Sequence, residues 1–285
     1  MRWGGIKLIC QSAKIITFPT FSIFMNADLD TNTRTFIWGH RGASGHEIEN
    51  TLESFKLAIE MGADGIESDV NLTKERNLIF YHDQRVNWKG KKIPPSRMLL
   101  KDLKSVDLGD HRQIPEVSQI FQYFKSKTTL NGDPIRYSLD LGTIYVGRRL
   151  IRLAHKQGVA QSVEITPSDN FPTFWTRIKQ FRAHSQDINI VCSAKFDMYR
   201  FKFATKRMFF QNWDKFHQYN IKGINLRAKY ATRSLIEDAR KQNLKIYVWD
   251  CHDELTIQKF MKLKVDAIYS NYPDLAVKIR EEIQP

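Results

Sequence analysis

Two carboxylates, Glu67 and Asp69, are separated by a single residue within a short apolar run of the sequence. If this run is a strand, both side chains point to the same face, because strand side chains alternate. Two negative charges this close repel each other, and a bound divalent cation offsets that repulsion. With Asp140, which lies near the end of a later apolar run, the oxygen-only ligand set predicts Mg²⁺ or Ca²⁺ rather than zinc.

Two histidines, His40 and His82, also follow apolar runs. Imidazole titrates near neutral pH and can act as a general acid or a general base, and the sequence leaves open which histidine takes which role. Arg41, next to His40, offers a planar guanidinium that can bind two phosphate oxygens at once. These residues form a candidate set for acid–base chemistry on an anionic substrate.

Short apolar runs alternate with segments of helical periodicity from Thr35 onward, which predicts a parallel sheet with helices between its strands. The predicted strands are Phe36–Gly39, Gly65–Val70, Leu78–Tyr81, Arg136–Leu141, Gln161–Thr166, Asn189–Ser193, Ile221–Leu226, Lys245–Trp249 and Ala267–Ser270. The predicted helices are Thr51–Met61, Val117–Ser126, Val146–Lys156, Phe171–Ala183, Asn212–Tyr219, Thr232–Gln242 and Glu254–Leu263.

One predicted strand, Leu78–Tyr81, follows Gly65–Val70 too closely for a crossover helix. A parallel crossover needs a dozen or more residues, so these two strands are expected to form an antiparallel hairpin. A turn centred between residues 75 and 76 pairs Asp69 with His82, which brings a carboxylate and an imidazole to the same height.

Removing the return strand of the hairpin leaves eight strands in residues 35–285. This number and this length predict an α/β fold, a (β/α)₈ TIM barrel with an antiparallel hairpin extension after the second strand. The active site of such a barrel lies at the carboxyl ends of its strands, which is where the candidate residues fall.

The same residues lie in short motifs whose order and spacing are distinctive. The motifs are His40-Arg41-Gly42, Glu49-Asn50-Thr51, Glu67-Ser68-Asp69 and His82-Asp83. Together they closely resemble the glycerophosphodiester phosphodiesterase family, a group of TIM-barrel phosphodiesterases of the phosphatidylinositol phospholipase C type. Val248-Trp249 and residues 265–274 resemble later parts of the same family, so the resemblance runs from about Phe36 to Leu275.

This resemblance implies metal-dependent hydrolysis of small-molecule glycerophosphodiesters to glycerol 3-phosphate and an alcohol. It also implies a role for each matching residue. His40 and His82 are the implied acid–base pair, Arg41 and Trp249 the substrate-binding residues, Glu67, Asp69 and Asp140 the ligands of Mg²⁺ or Ca²⁺, and Glu49 and Asn50 the supporting residues.

Two segments depart from the family pattern. The family usually has Glu-x-Lys where this chain has Asp140-Leu141-Gly142, and Trp-Thr-Val-Asn where it has Trp249-Asp250-Cys251-His252. The related sphingomyelinase D-like phospholipases also carry an aspartate in the first segment. A lysophospholipase D or sphingomyelinase D-like activity on lipid headgroups is therefore one alternative, and a non-catalytic binding module on the same barrel is another.

The chain has 44 Lys and Arg against 31 Asp and Glu, a formal net charge of +13 that favours anionic partners. Basic and aromatic residues are interleaved over residues 196–210. This pattern is typical of peripheral contact with an anionic membrane, and equally of a loop helix packed on the barrel. Nucleic-acid binding, which uses similar residues, is not expected.

Residues 1–34 precede the recognisable barrel domain of residues 35–285. Their apolar stretch is interrupted by Lys14 and Pro19 and is too short to span a membrane. We expect a targeting segment, an interfacial anchor or a disordered extension, and a cytoplasmic or peripheral membrane location rather than secretion. The three cysteines, Cys10, Cys192 and Cys251, have no zinc-binding spacing and predict no disulfide framework.

Overall fold

The computed structural model describes residues 34–167, 174–194 and 213–285. Eleven strands lie in these ranges. They are β1 (Phe36–His40), β2 (Gly65–Leu72), β3 (Leu78–Phe80), β4 (Val86–Trp88), β5 (Lys91–Ile93), β6 (Arg136–Leu141), β7 (Val163–Pro167), β8 (Asn189–Ala194), β9 (Gly223–Arg227), β10 (Lys245–Trp249) and β11 (Ala267–Ser270). All nine strands predicted from the sequence are present, with ends that differ by at most two residues.

Eight of the strands form a closed parallel barrel, which confirms the predicted fold. Their order is β1, β2, β6, β7, β8, β9, β10 and β11, and β11 pairs with β1 to close the ring. The closing register places Phe36 opposite Ala267 and Gly39 opposite Ser270. Because all eight strands run in one direction, their carboxyl ends meet at one mouth of the barrel.

Nine α-helices lie in the described ranges, most of them between barrel strands. They are α1 (Leu52–Glu60), α2 (Leu100–Lys104), α3 (Val117–Phe124), α4 (Ile144–Gln157), α5 (Phe174–His184), α6 (Trp213–Gln218), α7 (Arg233–Lys241), α8 (Glu254–Lys262) and α9 (Pro273–Ile283). Local sequence fixes where several begin. The side chains of Thr51, Thr143, Thr232 and Asp253 accept hydrogen bonds from the first turns of α1, α4, α7 and α8.

Aromatic side chains fill the barrel below its carboxyl-end mouth. Trp38, Tyr247 and Tyr269 are almost fully buried, and the rings of Trp38 and Tyr269 stack with centroids 6.0 Å apart. The Tyr269 hydroxyl lies 2.9 Å from the Ser138 hydroxyl. The lower half of the barrel is therefore packed with side chains, and the polar residues of the mouth lie directly above this packed layer.

The hairpin of β2 and β3 is present, but the predicted register is wrong by one residue. Val70 pairs with Phe80 and Leu72 with Leu78, and the amide of Tyr81, rather than that of His82, donates to the carbonyl oxygen of Asp69. The Thr73 amide donates to the Asn77 carbonyl, so the turn is centred on residue 75. A turn of odd length shifts the pairing by one residue, which the composition of the connector did not reveal.

Two further regions were not predicted. Residues 86–106 contain the β4–β5 hairpin and α2, which cover a small separate core around Ile79, Val86 and Leu103. Helix α9 follows the last strand and packs on α8. The segment 196–210 and all but the last residue of 1–34 lie outside the described residues. No helix of the described part is long and apolar enough to cross a membrane.

Candidate active site

Strand register brings the predicted acidic residues together at the mouth of the barrel. His40 ends β1 opposite Glu67 on β2, and Asp69 on β2 lies opposite Asp140 on β6. Glu67 and Asp69 share a face because they are two residues apart on one strand. One carboxylate oxygen from each of Glu67, Asp69 and Asp140 lies within 4.8 Å of the other two.

The three carboxylates of this group lie close enough to repel one another when they are ionised. Glu67 is only 5% exposed. Burial, followed by the charges of Asp69 and Asp140, raises the pKa of Glu67 well above its usual value. A hard divalent cation prefers carboxylate oxygens and would remove this repulsion. The donor set therefore fits Mg²⁺ or Ca²⁺, and it contains no sulfur or nitrogen ligand that would favour zinc.

Arg41 connects the acidic residues to the first loop of the barrel. Its backbone φ is +55°, and in this left-handed conformation its amide donates to Glu67 Oε2 at 2.9 Å. The guanidinium lies 2.9 Å from Glu49 Oε2 and 3.3 Å from Asp69 Oδ2. Glu49 thus contacts Arg41 from the solvent side, and its supporting role stays a prediction.

Asn50 lies behind the site rather than in it. The side chain is buried, its Oδ1 accepts from the Ser68 hydroxyl at 2.6 Å, and its backbone amide donates to the Arg41 carbonyl at 3.0 Å. Asn50 also has a left-handed backbone, with φ at +58°. Its contacts fix the loop that carries Arg41 and Glu49 against β2, and it does not line the cavity.

His40 is held in one orientation by a residue from the opposite end of the chain. Its Nδ1 lies 2.6 Å from Asn271 Oδ1, just after β11, and its Nε2 lies 3.8 Å from Glu67 Oε2. With the amide oxygen accepting, Nδ1 carries the proton and Nε2 presents its lone pair on the side of the acids. Burial, followed by the nearby Arg41 charge, lowers the pKa of His40 to about 3.

His82 has a different environment from His40. It lies beyond the end of β3, its side chain is 42% exposed, and its Nδ1 is 3.0 Å from Asp83 Oδ1. Although the register differs from the predicted one, His82 lines the same cavity as Asp69. The two histidines therefore approach the acidic group from different elements, one buried and one open to solvent.

A cavity of about 150 Å³ joins these residues. Its lining residues are His40, Arg41, Glu67, Asp69, His82, Asp140, Ser193, Asn225, Trp249 and Tyr269. Trp249 forms part of the wall, and the Arg227 guanidinium lies 5.1 Å from its ring centroid. Of the predicted site residues, only Glu49 and Asn50 do not line this cavity, and both contact Arg41.

A second group, next to His40, was not predicted from the sequence. The ring of His252 lies 5.6 Å from that of His40, and its Nδ1 accepts from the Asn271 amide at 3.1 Å. Asp250 Oδ1 lies 3.5 Å from His252 Nε2, and Asp250 Oδ2 accepts from Arg227. Asn271 and His252 both follow carboxyl ends of barrel strands, so the rule that located the other site residues could have located these.

Comparison with known proteins finds related sequences along this chain. A model of the glycerophosphoryl diester phosphodiesterase family matches residues 40–174, which include every predicted site residue except Trp249. A glycerophosphodiester phosphodiesterase of Bacillus altitudinis is 24% identical over 265 residues, covering 88% of this chain and 100% of the relative. Human lysophospholipase D is 27% identical over 112 residues, which cover 33% of this chain and 34% of that protein.

Solved structures share the fold. A phosphodiesterase of Oleispira antarctica, crystallised with the product sn-glycerol-3-phosphate, superimposes with a TM-score of 0.68 at 18% identity, over 87% of this chain and 97% of that one. A glycerophosphodiester phosphodiesterase of Thermotoga maritima gives a TM-score of 0.67 at 18% identity, over 86% and 98% of the two chains.

Proposed function

Because the chain belongs to the glycerophosphodiester phosphodiesterase family, we propose that it hydrolyses glycerophosphodiesters to glycerol 3-phosphate and an alcohol. The observation that carries the proposal is the single cavity that collects two histidines, an arginine and three carboxylates. Each group meets one chemical requirement of phosphodiester cleavage.

The first requirement is to neutralise the negative charge of the phosphodiester, which repels nucleophiles. Arg41 is positioned for this because Glu49 and Asp69 fix its guanidinium beside the cavity. A Mg²⁺ or Ca²⁺ ion held by Glu67, Asp69 and Asp140 would supply Lewis-acid polarisation of the phosphate oxygens. Trp249 provides an apolar wall for the organic part of the substrate.

The second requirement is to move two protons. Asn271 holds the proton of His40 on Nδ1, so Nε2 is free to take a proton from the nucleophile, either water or the neighbouring hydroxyl of the substrate. His82 stands at the open side of the cavity, where it donates a proton to the departing alkoxide. We therefore assign His40 as the base and His82 as the acid.

The test is release of glycerol 3-phosphate from a set of glycerophosphodiesters, with Mg²⁺, with Ca²⁺ and with EDTA. We expect cation-dependent turnover that falls about 10²- to 10⁴-fold in His40→Ala and in His82→Ala. The exposed His217 on α6 gives the matched control His217→Ala, which should keep full activity. Equal turnover in the wild type and both site variants would contradict the assignment.

A second candidate function is cleavage of lysophospholipid headgroups. Asp140 supports it, because an aspartate also stands at this position in the related phospholipases, and so does the partial similarity to human lysophospholipase D. Release of choline or ethanolamine from lysophospholipids, without turnover of glycerophosphodiesters, would establish this function instead. Turnover on neither substrate set would favour a binding module.

Peripheral membrane contact through residues 196–210 is a separate part of the proposal. It stands on the basic and aromatic sequence of that segment. Co-sedimentation with anionic vesicles that weakens as salt is added would support it. Recovery of the protein in the supernatant at low salt would refute it.

A further inference from the structure

A second cavity lies apart from the catalytic one, beside the turn of the β2–β3 hairpin and against α3 and α4. It encloses about 240 Å³ and shares no lining residue with the catalytic cavity. Three arginines line it, Arg76 from the hairpin turn and Arg149 and Arg152 from α4. Nothing in the proposed reaction uses this cavity.

The three guanidiniums are concentrated without matching acids. Within the part of the chain that the structure describes, none of the three forms an ion pair with a carboxylate. Glu116 also lines the cavity, but its Oε1 is bound to the Lys104 ammonium at 2.9 Å. The cavity therefore carries a net positive charge that a bound anion would offset.

Tyr145, at the start of α4, holds two of the arginines in place. The guanidinium carbons of Arg76 and Arg149 lie 5.7 Å and 6.0 Å from the centroid of its ring. Cation–π contact favours this arrangement, and it fixes two like charges near each other. The Tyr145 ring thus places two of the three guanidiniums next to each other where the hairpin turn meets α4.

A buried donor in the same cavity lacks an acceptor. The Nε atom of Arg149 is shielded from solvent and has no hydrogen-bond partner among the described residues. Buried N–H groups are normally hydrogen-bonded, so the Arg149 guanidinium carries a donor that no group of the described residues satisfies. Ser118, from the first turn of α3, adds a hydroxyl to the lining.

We propose that this cavity binds the phosphate group of a phosphomonoester or of inorganic phosphate. A tetrahedral dianion has four oxygens pointing in different directions, so it can accept from guanidiniums of the hairpin and of α4 at once. A phosphodiester carries one charge and has two unesterified oxygens, against three in a phosphomonoester and four in inorganic phosphate, so it would satisfy fewer of these donors. The same group is available from free phosphate or from the headgroup of a phosphatidate membrane.

The first experiment titrates the full chain with inorganic phosphate by calorimetry. Arg149→Gln should lower the affinity of one phosphate-binding event at least tenfold. Arg41→Gln should leave that event unchanged, because Arg41 lies in the other cavity. Arg97, an exposed arginine outside both cavities, provides the control Arg97→Gln. Retention of all phosphate binding in Arg149→Gln, or absence of binding in the wild type, would overturn the proposal.

A second experiment identifies the source of the phosphate. Vesicles of phosphatidylcholine with and without phosphatidic acid are sedimented with the wild type and with Arg149→Gln. Selective loss of phosphatidate-dependent pelleting in the variant assigns the site to a membrane headgroup. Phosphate binding in solution with no such loss assigns it to a free phosphomonoester. Arg149→Lys, which keeps the charge but not the planar fork, separates electrostatic attraction from bidentate binding.

Discussion

At the scale of single residues, the site depends on how neighbours orient each reactive group. His40 has its acceptor, Asn271, from the turn after the last barrel strand, and Arg41 has Glu49 from the first loop. The candidate reactive residues could be predicted from the sequence, because their types and motif spacing carry the chemistry, and the structure brings them to one cavity. Of the residues that orient them, Glu49 lies in one of the predicted motifs, whereas Asn271 was not predicted. Its position after a barrel strand was an available signal, but its hydrogen bond to His40 joins distant segments and leaves no local pattern.

The low pKa of His40 makes a prediction about the pH dependence of turnover. Burial and the Arg41 charge keep the ring neutral below its usual pKa of 6.5, and a bound cation would act in the same direction. We therefore expect kcat to stay high as the pH is lowered through 6.5 and to fall only at a pH well below that value. Arg41→Gln should move the acidic limb toward higher pH, and a wild-type limb near 6.5 would contradict the assignment of His40 as base.

His252 makes a second prediction at this scale. It accepts the backbone amide of Asn271, whose side chain orients His40, so it acts as a positioning residue. His252→Leu removes the acceptor and should lower kcat about two- to tenfold, the worth of one hydrogen bond, with KM unchanged. His252→Asn keeps an acceptor of similar reach and should retain most of kcat. Equal losses in the two variants would indicate a packing role only.

At the scale of elements, the strands could be predicted because apolar runs and strand-to-helix alternation are local signals. The hairpin after β2 could be predicted from the short connector alone, since no crossover fits between Val70 and Leu78. Its register could not, because a turn centred on one residue and a turn centred between two residues differ only in backbone hydrogen bonds. The short β4–β5 hairpin was missed because three-residue strands carry too little pattern.

The first loop of the barrel depends on a close approach that only glycine permits. Gly42 has a φ of +86°, and a Cβ there would lie 2.6 Å from the backbone carbon of Ser54 in α1. Gly42→Ala should therefore lower the free energy of unfolding by about 1–3 kcal/mol and displace Arg41. At Gly90, where φ is +75°, an added Cβ would meet no heavy atom of the described residues within 4 Å beyond its chain neighbours, which gives the control Gly90→Ala.

Both glycines have a left-handed φ, so the control separates the cost of the clash with α1 from the cost of the backbone conformation. Chemical denaturation of the two variants measures the difference. If Gly42→Ala loses no more stability than Gly90→Ala, the close packing of this loop on α1 does not position the site.

At the scale of the whole molecule, a cation held at the mouth would link the first three barrel strands of this region. Glu67 and Asp69 lie on β2, Asp140 lies on β6, and the Glu67 carboxylate also accepts from the Arg41 amide after β1. A ligand that binds only the folded state stabilises it by about 2.7 kcal/mol at a hundredfold excess over its Kd. We therefore expect Mg²⁺ or Ca²⁺ to raise Tm by about 5–10 °C.

The measurement is thermal unfolding with each cation and with EDTA. Asp69→Asn should lose most of the shift, whereas the exposed Asp133→Asn should keep it. A cation-induced rise in Tm that survives in Asp69→Asn would place the ion elsewhere. This readout needs no turnover, so it tests the site independently of the reaction.

The closing pair of strands also determines when the barrel can close during synthesis of the chain. His40 and its acceptor Asn271 are 231 residues apart, and β11 is the strand that completes the ring against β1. At ribosomal speeds of about 5–20 residues per second, β1 waits on the order of 10 to 50 s for that partner. Until then Trp38 has no Tyr269 to stack on, and His40 has no group to fix its proton. The nascent chain therefore acquires a sealed barrel and an oriented histidine in the same event.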